Sequence, residues 1–285
     1  MEEFNINSRL KEIFQSEIKN FSNQELHKLI LSTIDLTTLE GSDNHNRIVT
    51  LCRQASSFKT YGEGFPDVAA VCVYPVFVKL AKEQLQSTGI HVASVAGAFP
   101  SSQSPLRIKC EEVTYAVNEG ADEIDMVISR GKLLEGNINE VFDEIATIKS
   151  ACGRAKLKVI LETGELLTAE NIRKASEIAI AAGGDFIKTS TGKIPVSATP
   201  EAAYIMCSVI REHQLKTGKK IGFKPSGGIS DVDTAIRYLK IVNAILGKEW
   251  LNRDLFRFGA SRLATKVLDA LLEKTTEPDK QQGLY

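Results

Sequence analysis

The sequence predicts an α/β protein built as a (β/α)8 TIM barrel with an N-terminal helical extension, and three observations predict it. From residue 34 onward eight short apolar runs alternate with amphipathic stretches, and strands that alternate with helices pair in parallel through crossover connections. Eight such units close most simply on themselves, in a chain of 285 residues that suits one barrel domain. Six of the eight runs end in a reactive side chain, Asp35, Cys72, Asp125, Glu162, Lys188 or Lys224, and barrel enzymes carry their chemistry at the carboxyl ends of strands. A doubly wound open sheet is the alternative that the same alternation allows.

The extension comes first, over residues 1–31. Leu10, Ile13, Phe14 and Ile18 share one helical face, and a second amphipathic segment runs over 24–31. The barrel occupies 32–273, with strands expected at 34–36, 68–73, 91–95, 123–127, 156–161, 186–188, 221–224 and 255–258. Pro75 opens one connecting helix. Thr168 caps another, whose apolar Ile172, Ala175, Ile178, Ala179 and Ala182 recur at helical spacing before Gly183 and Gly184 end it. Thr199 caps a third, with Pro200 at its first position. Residues 274–285 are polar and read by composition as a flexible, solvated tail.

Bulk properties narrow the function. A net charge of −1 gives no general attraction to nucleic acid or to an anionic membrane surface. The chain begins without a basic region and long apolar run, and no stretch approaches the ~18 apolar residues of a membrane span. Cys52, Cys72, Cys110, Cys152 and Cys207 are odd in number and scattered, which favours reduced thiols and a cytoplasmic location. His27, His45, His91 and His213 are dispersed and fit no zinc motif, so no metal or other cofactor is expected. The Thr189-Ser-Thr-Gly-Lys193 run lacks the first glycine of a nucleotide-binding P-loop, and Ile194 stands where that loop needs Ser or Thr.

The chemistry is carried by two lysines in parallel phrases, Phe186-Ile-Lys188-Thr-Ser190-Thr-Gly192 and Gly222-Phe-Lys224-Pro-Ser226-Gly-Gly228. They lie one βα unit apart, so adjacent strands bring their amines together. Burial and a neighbouring cation both disfavour the ammonium form and lower a lysine pKa, which is how an amine becomes a nucleophile near neutral pH. The spacing leaves open which lysine attacks. Asp125 lies within an apolar strand and, buried beside lysines, either moves protons or serves as a structural ion pair. Asp35 either accepts a substrate hydroxyl or caps the Thr37-Thr38 turn, and Cys72 reads as pocket lining. Glycine-containing turns follow the last three strands: Gly192-Lys193, Ser226-Gly227-Gly228 and Gly259-Ala-Ser261-Arg262. Such turns let backbone N–H groups approach an anion, in the loops where barrels frequently bind phosphate; ordinary tight turns are the plainer reading.

The two lysine phrases, with Asp-Glu-Ile-Asp125-Met-Val-Ile, Ile34-Asp-Leu-Thr-Thr-Leu, Cys72-Val-Tyr-Pro, Leu161-Glu-Thr-Gly-Glu-Leu and Arg257-Phe-Gly-Ala-Ser-Arg262, resemble the deoxyribose-phosphate aldolase family in order, from about Leu31 to the end. The resemblance implies a metal-free class I aldolase acting on a phosphosugar, and a homodimer, as many members are. It implies that Lys188 forms the Schiff base, that Lys224 perturbs it and that Asp125 assists proton transfer. Tyr285 matches a C-terminal tyrosine that in some members visits the site to move a proton. Two positions depart from the pattern: Ser230 stands where many relatives have arginine, and Arg262 where others have a small or polar residue.

Overall fold

The structure, a computed structural model, describes residues 2–275. Eight parallel strands form the sheet: β1 (Ile34–Thr37), β2 (Ala70–Val73), β3 (His91–Ala96), β4 (Glu123–Val127), β5 (Lys156–Ile160), β6 (Phe186–Lys188), β7 (Gly222–Lys224) and β8 (Phe258–Ala260). They run in the order β7-β6-β5-β4-β3-β2-β1-β8. The remaining seam, β7 to β8, is joined by parallel bridges at Phe223–Phe256 and Ser226–Gly259 and by Arg257 N–H donating to Phe223 O at 3.1 Å. Pro225, which has no N–H to give, lies in this seam, and its own carbonyl accepts from Gly259 N–H at 3.0 Å. The barrel is thereby nearly closed, as expected rather than the open sheet.

Helices connect the strands: α3 (His45–Ala55), α4 (Val78–Gln84), α5 (Leu106–Asn118), α6 (Arg130–Leu134), α7 (Ile138–Ala151), α8 (Ala169–Ala181), α9 (Pro200–Thr217) and α10 (Val232–Ile245), with α11 (Leu263–Thr275) after β8. The extension forms α1 (Glu2–Gln15), which packs on α9 and α10, and α2 (Asn23–Ser32), which packs on α10 and α11. A capping box between Ser22 and Glu25 starts α2. Thr168 and Thr199 cap α8 and α9 as the sequence predicts, each accepting a backbone N–H three residues on.

Two strand starts differ from expectation by more than one residue. β2 begins at Ala70, opposite Asp35, because β1 offers partners only from Ile34 onward. β8 begins at Phe258 for the same reason: it pairs with β1 from Ile34, and Phe256 reaches β7 through one bridge.

Side-chain alternation separates two environments. Leu36, Val71, Ile124, Met126, Leu157, Val159 and Ile187 face outward into the large apolar core beneath the helices. The inward positions hold Asp35, Glu123, Asp125, Lys158, Lys188 and Lys224, every one buried. A barrel interior is ordinarily filled by branched apolar side chains, so a charged filling marks this one as built for chemistry.

Candidate active site

Three carboxylates, Asp35, Glu123 and Asp125, meet four cations, Lys158, Lys188, Lys224 and Arg257, inside the barrel. The strand register explains the arrangement. Lys158 sits beside Asp125 on neighbouring strands, and Lys188 sits beside Lys224. Asp125 Oδ1 accepts from Lys158 Nζ at 2.8 Å, while its Oδ2 accepts from Lys188 Nζ at 2.8 Å and Lys224 Nζ at 2.7 Å. Lys224 also donates to Asp35 Oδ2 at 2.5 Å. One layer down, Arg257 bonds Asp35 Oδ1 at 2.6 Å and Glu123 Oε1 at 2.7 Å. His91 Nδ1 meets Glu123 Oε1 at 2.7 Å from the amino-terminal end of β3.

The cations are not equivalent. Lys158 lies within 4 Å of all three carboxylates, at 2.5 Å from Glu123, 2.8 Å from Asp125 and 3.4 Å from Asp35. Lys224 and Arg257 each pair with two. Among the described residues Lys188 pairs with one, Asp125. Fully ionised, the cluster carries one positive charge more than it can pair, and release of one proton balances it. Lys188 has the fewest carboxylates holding its proton.

The pKa directions agree. Burial lowers the Lys188 amine and Lys224 lowers it further, against the pull of Asp125. Burial also acts on Lys158 and Lys224, but there the carboxylates outweigh it and both amines are raised. Asp125 and Glu123 are buried, yet Lys158 and its fellow cations hold both well below the usual carboxylate range.

Above Lys188 opens a cleft of about 270 Å³. Ser226, Gly227 and Gly228 after β7, and Gly259, Ser261 and Arg262 at the end of β8, line one side of it, with Gly192 and Lys193 beside them. Gly227 and Gly228 have φ of +82° and +78°, which L side chains rarely adopt. A Cβ on Gly259 would stand 2.3 Å from Ser226 Oγ and 3.2 Å from Lys224 Cε, so the backbone here must be bare. The three glycine turns predicted after the last strands therefore converge over one lysine.

Other predicted residues take different places. Both carboxylate oxygens of Asp35 are engaged by Lys224 and Arg257, and Thr37 Oγ1 bonds Asp35 through its backbone carbonyl. The Asp35 side chain therefore does not cap the Thr37-Thr38 turn, one of the two roles expected of it, and sits instead between two cations. Cys72 packs against Leu39, Ala93 and Val95 inside the barrel. Burial, reinforced by Asp125, pushes its thiol up to about 11, so it stays protonated. Tyr285 lies outside the described residues.

Lys158 and Arg257 are not among the strand-end groups read from the sequence, because Lys158 points inward two residues before the end of β5 and Arg257 comes one residue before β8 begins. Period-two alternation in Lys156-Leu-Lys158-Val-Ile was the available signal. Glu123, two residues before Asp125 on β4, faces the same interior column. Glu162, in the left-handed region at φ +57°, accepts from Thr191 N–H at 3.1 Å and Thr191 Oγ1 at 2.5 Å. Thr191 Oγ1 in turn accepts from Lys193 N–H at 3.0 Å, so this buried carboxylate fixes the loop after Lys188. Among the described residues, no group of three or more His, Cys, Asp or Glu is placed to hold a metal ion.

Comparison with known proteins places this geometry. Residues 29–248 match the model of the DeoC/LacD family aldolases. The chain is 46% identical over 245 residues to deoxyribose-phosphate aldolase of Homo sapiens, covering 82% of this chain and 77% of that protein. It is 45% identical over 245 residues to the Mus musculus enzyme of the same name, with the same coverage. Among solved structures, the tetrameric deoxyribose phosphate aldolase of Aeropyrum pernix superposes with a TM-score of 0.69 at 26% identity, over 93% of this chain and 98% of that one. Triosephosphate isomerase of Bartonella henselae shares the fold alone, at 9% identity and a TM-score of 0.52. The chain belongs to the DeoC/LacD aldolase family and is a class I aldolase, a carbon–carbon lyase.

Proposed function

We propose that this aldolase reversibly cleaves 2-deoxy-D-ribose 5-phosphate to acetaldehyde and D-glyceraldehyde 3-phosphate, in deoxyribonucleoside catabolism. The observation that carries the site assignment is the inequality among the buried cations: Lys188 has one carboxylate partner and opens onto the cleft, whereas Lys158 has three partners. Neutral Lys188 attacks the C1 aldehyde of the open-chain sugar, and loss of water gives an iminium ion. The iminium draws in the electron pair of the C2–C3 bond as the C3 hydroxyl gives up its proton, releasing glyceraldehyde 3-phosphate. The enamine left behind takes a proton at C2, and hydrolysis frees acetaldehyde and the amine.

Asp125 orients the Lys188 amine and, with water, exchanges protons with the carbinolamine and the C3 hydroxyl. Lys224 remains an ammonium and keeps Lys188 from holding its own proton. Lys158 and Arg257 neutralise the carboxylates, so that Asp125 is not left to capture the nucleophile as a fixed ion pair. The loops at Gly192-Lys193, Ser226–Gly228 and Gly259–Arg262 bind the phosphate, with Cys72 and Asp35 as interior walls rather than contacts. Binding energy from the phosphate then orients the reacting carbon.

The human and mouse relatives carry the name of this reaction. A homodimer and a cytoplasmic location complete the proposal; no helix among the described residues is long and apolar enough to cross a membrane. Release of acetaldehyde from deoxyribose 5-phosphate, followed with an alcohol dehydrogenase, tests the reading. Wild type is expected to turn over and Lys188→Ala to lose activity; turnover retained in Lys188→Ala would overturn the assignment.

A further inference from the structure

A salt bridge crosses the mouth of the cleft. Lys193 Nζ, from the loop after β6, meets Glu40 Oε1, from the loop after β1, at 3.0 Å. Both residues line the cleft, and among the described residues Glu40 is the carboxylate of a lining that also includes Lys188 and Arg262. The backbone at each end of the bridge is held. The backbone of Lys193 is held by Thr191, which Glu162 holds. The loop carrying Glu40 is pinned by Asp43, which accepts from Glu40 N–H at 2.9 Å and from Thr38 Oγ1 at 2.8 Å. The fold therefore fixes the two backbones from which the exposed Glu40 carboxylate and the Lys193 amine meet.

An incoming phosphomonoester carries about −1.5 to −2 charges near neutral pH, and it needs the cation that Glu40 occupies. We propose that Glu40 is a built-in competitor for the substrate phosphate: it occupies Lys193 in the free enzyme and must be displaced when a phosphorylated sugar binds. This makes Glu40 a specificity-determining residue. An anion too weak to displace the carboxylate gains nothing from Lys193, and an unphosphorylated sugar leaves the bridge closed. The inference rests on the reading of this cleft as a phosphate site. Because the bridge is largely exposed, its effect is modest and screened by salt.

The test is Glu40→Gln, made alone and together with Lys193→Met. Inorganic phosphate is titrated calorimetrically into wild type and each variant at low salt, and kcat/KM is measured for 2-deoxyribose 5-phosphate and for 2-deoxyribose. Glu40→Gln should bind phosphate about two- to tenfold more tightly, the worth of an exposed ion pair with the repulsion it adds. The preference for the phosphorylated sugar, taken as the ratio of the two kcat/KM values, should rise by a similar factor. In the Lys193→Met background the same substitution should have a smaller effect. Unchanged or weaker phosphate binding by Glu40→Gln, or an equal gain without Lys193, would overturn the proposal, as would a protein that binds no phosphate at all. If none of the proteins cleaves deoxyribose 5-phosphate, the substrate reading fails, and the phosphate titration still decides the role of Glu40.

Discussion

Replacing Lys224 with methionine should raise the pKa of Lys188, and the structure sets the size of the rise. Both amines bind the same oxygen, Asp125 Oδ2, at 2.8 and 2.7 Å. Laid end to end those legs place the two nitrogens no more than about 5.5 Å apart, and at an ordinary hydrogen-bond angle about 4.5 Å. Two unit charges at that distance repel by about 3–4 kcal/mol at an effective dielectric of ~20, which is about 2–3 pH units. Loss of Lys224 also leaves Asp125 freer to hold the Lys188 proton, an effect of the same sign.

The amine reacts when neutral, so a higher pKa lowers the reactive fraction at any pH below it. The assay is the rate of imine capture from acetaldehyde with cyanoborohydride across the pH range. In wild type the rising limb should have its midpoint below that of an ordinary lysine. In Lys224→Met it should move up by about two to three units, cutting the rate near pH 7.5 by about 100- to 1000-fold. Lys224→Arg keeps the charge beside Asp125 and should hold the midpoint near wild type, which separates charge from packing. A midpoint that stays put or falls in Lys224→Met would refute the electrostatic argument.

Three further outcomes follow from the contacts. Glu162→Gln weakens charge-assisted bonds to Thr191 worth about 1.5–3 kcal/mol and should raise KM for the phosphosugar by about tenfold through a loosened Thr191–Lys193 loop, as steady-state kinetics will show. Gly259→Ala drives a methyl into Ser226 Oγ and crowds Lys224; urea unfolding should show a loss of about 1–3 kcal/mol, together with slowed imine capture. Lys109 is buried on α5 with Glu144 at 2.7 Å and the hydroxyls of Ser102 and Ser129. Lys109→Met strands that carboxylate and should cost about 3–5 kcal/mol in urea unfolding, with kcat preserved in the folded fraction because the cluster lies off the cleft.

The barrel was legible because its signals are local. Each strand is a short apolar run, and Thr168, Thr199 and Pro200 mark helix starts through bonds made within a few residues. Strand ends were less legible, since Ala70 and Phe258 begin strands only where β1 offers a partner. The nucleophile pair was visible as two phrases in matching contexts, and the phosphate loops as glycine turns after consecutive strands. The lower charge layer was less so: alternation along β5 hints at Lys158, but the partners of Lys158 and Arg257 appear only when closure of the barrel brings the strands' inward residues onto one axis. Asp35 illustrates the same limit. Its sequence neighbours suggested a turn cap, and partners 189 and 222 residues away, Lys224 and Arg257, claim it instead. Glu40 and Lys193, 153 residues apart, are likewise neighbours only in the fold.

Whether Lys188 is the amine that forms the imine is decided by borohydride reduction in the presence of acetaldehyde, followed by peptide mass mapping. An ethyl adduct confined to Lys188 is expected, lost in Lys188→Ala and present on no other buried lysine. An adduct on Lys224 or Lys158 would contradict the ordering of the buried cations, and the absence of any specific adduct would contradict imine chemistry in this barrel.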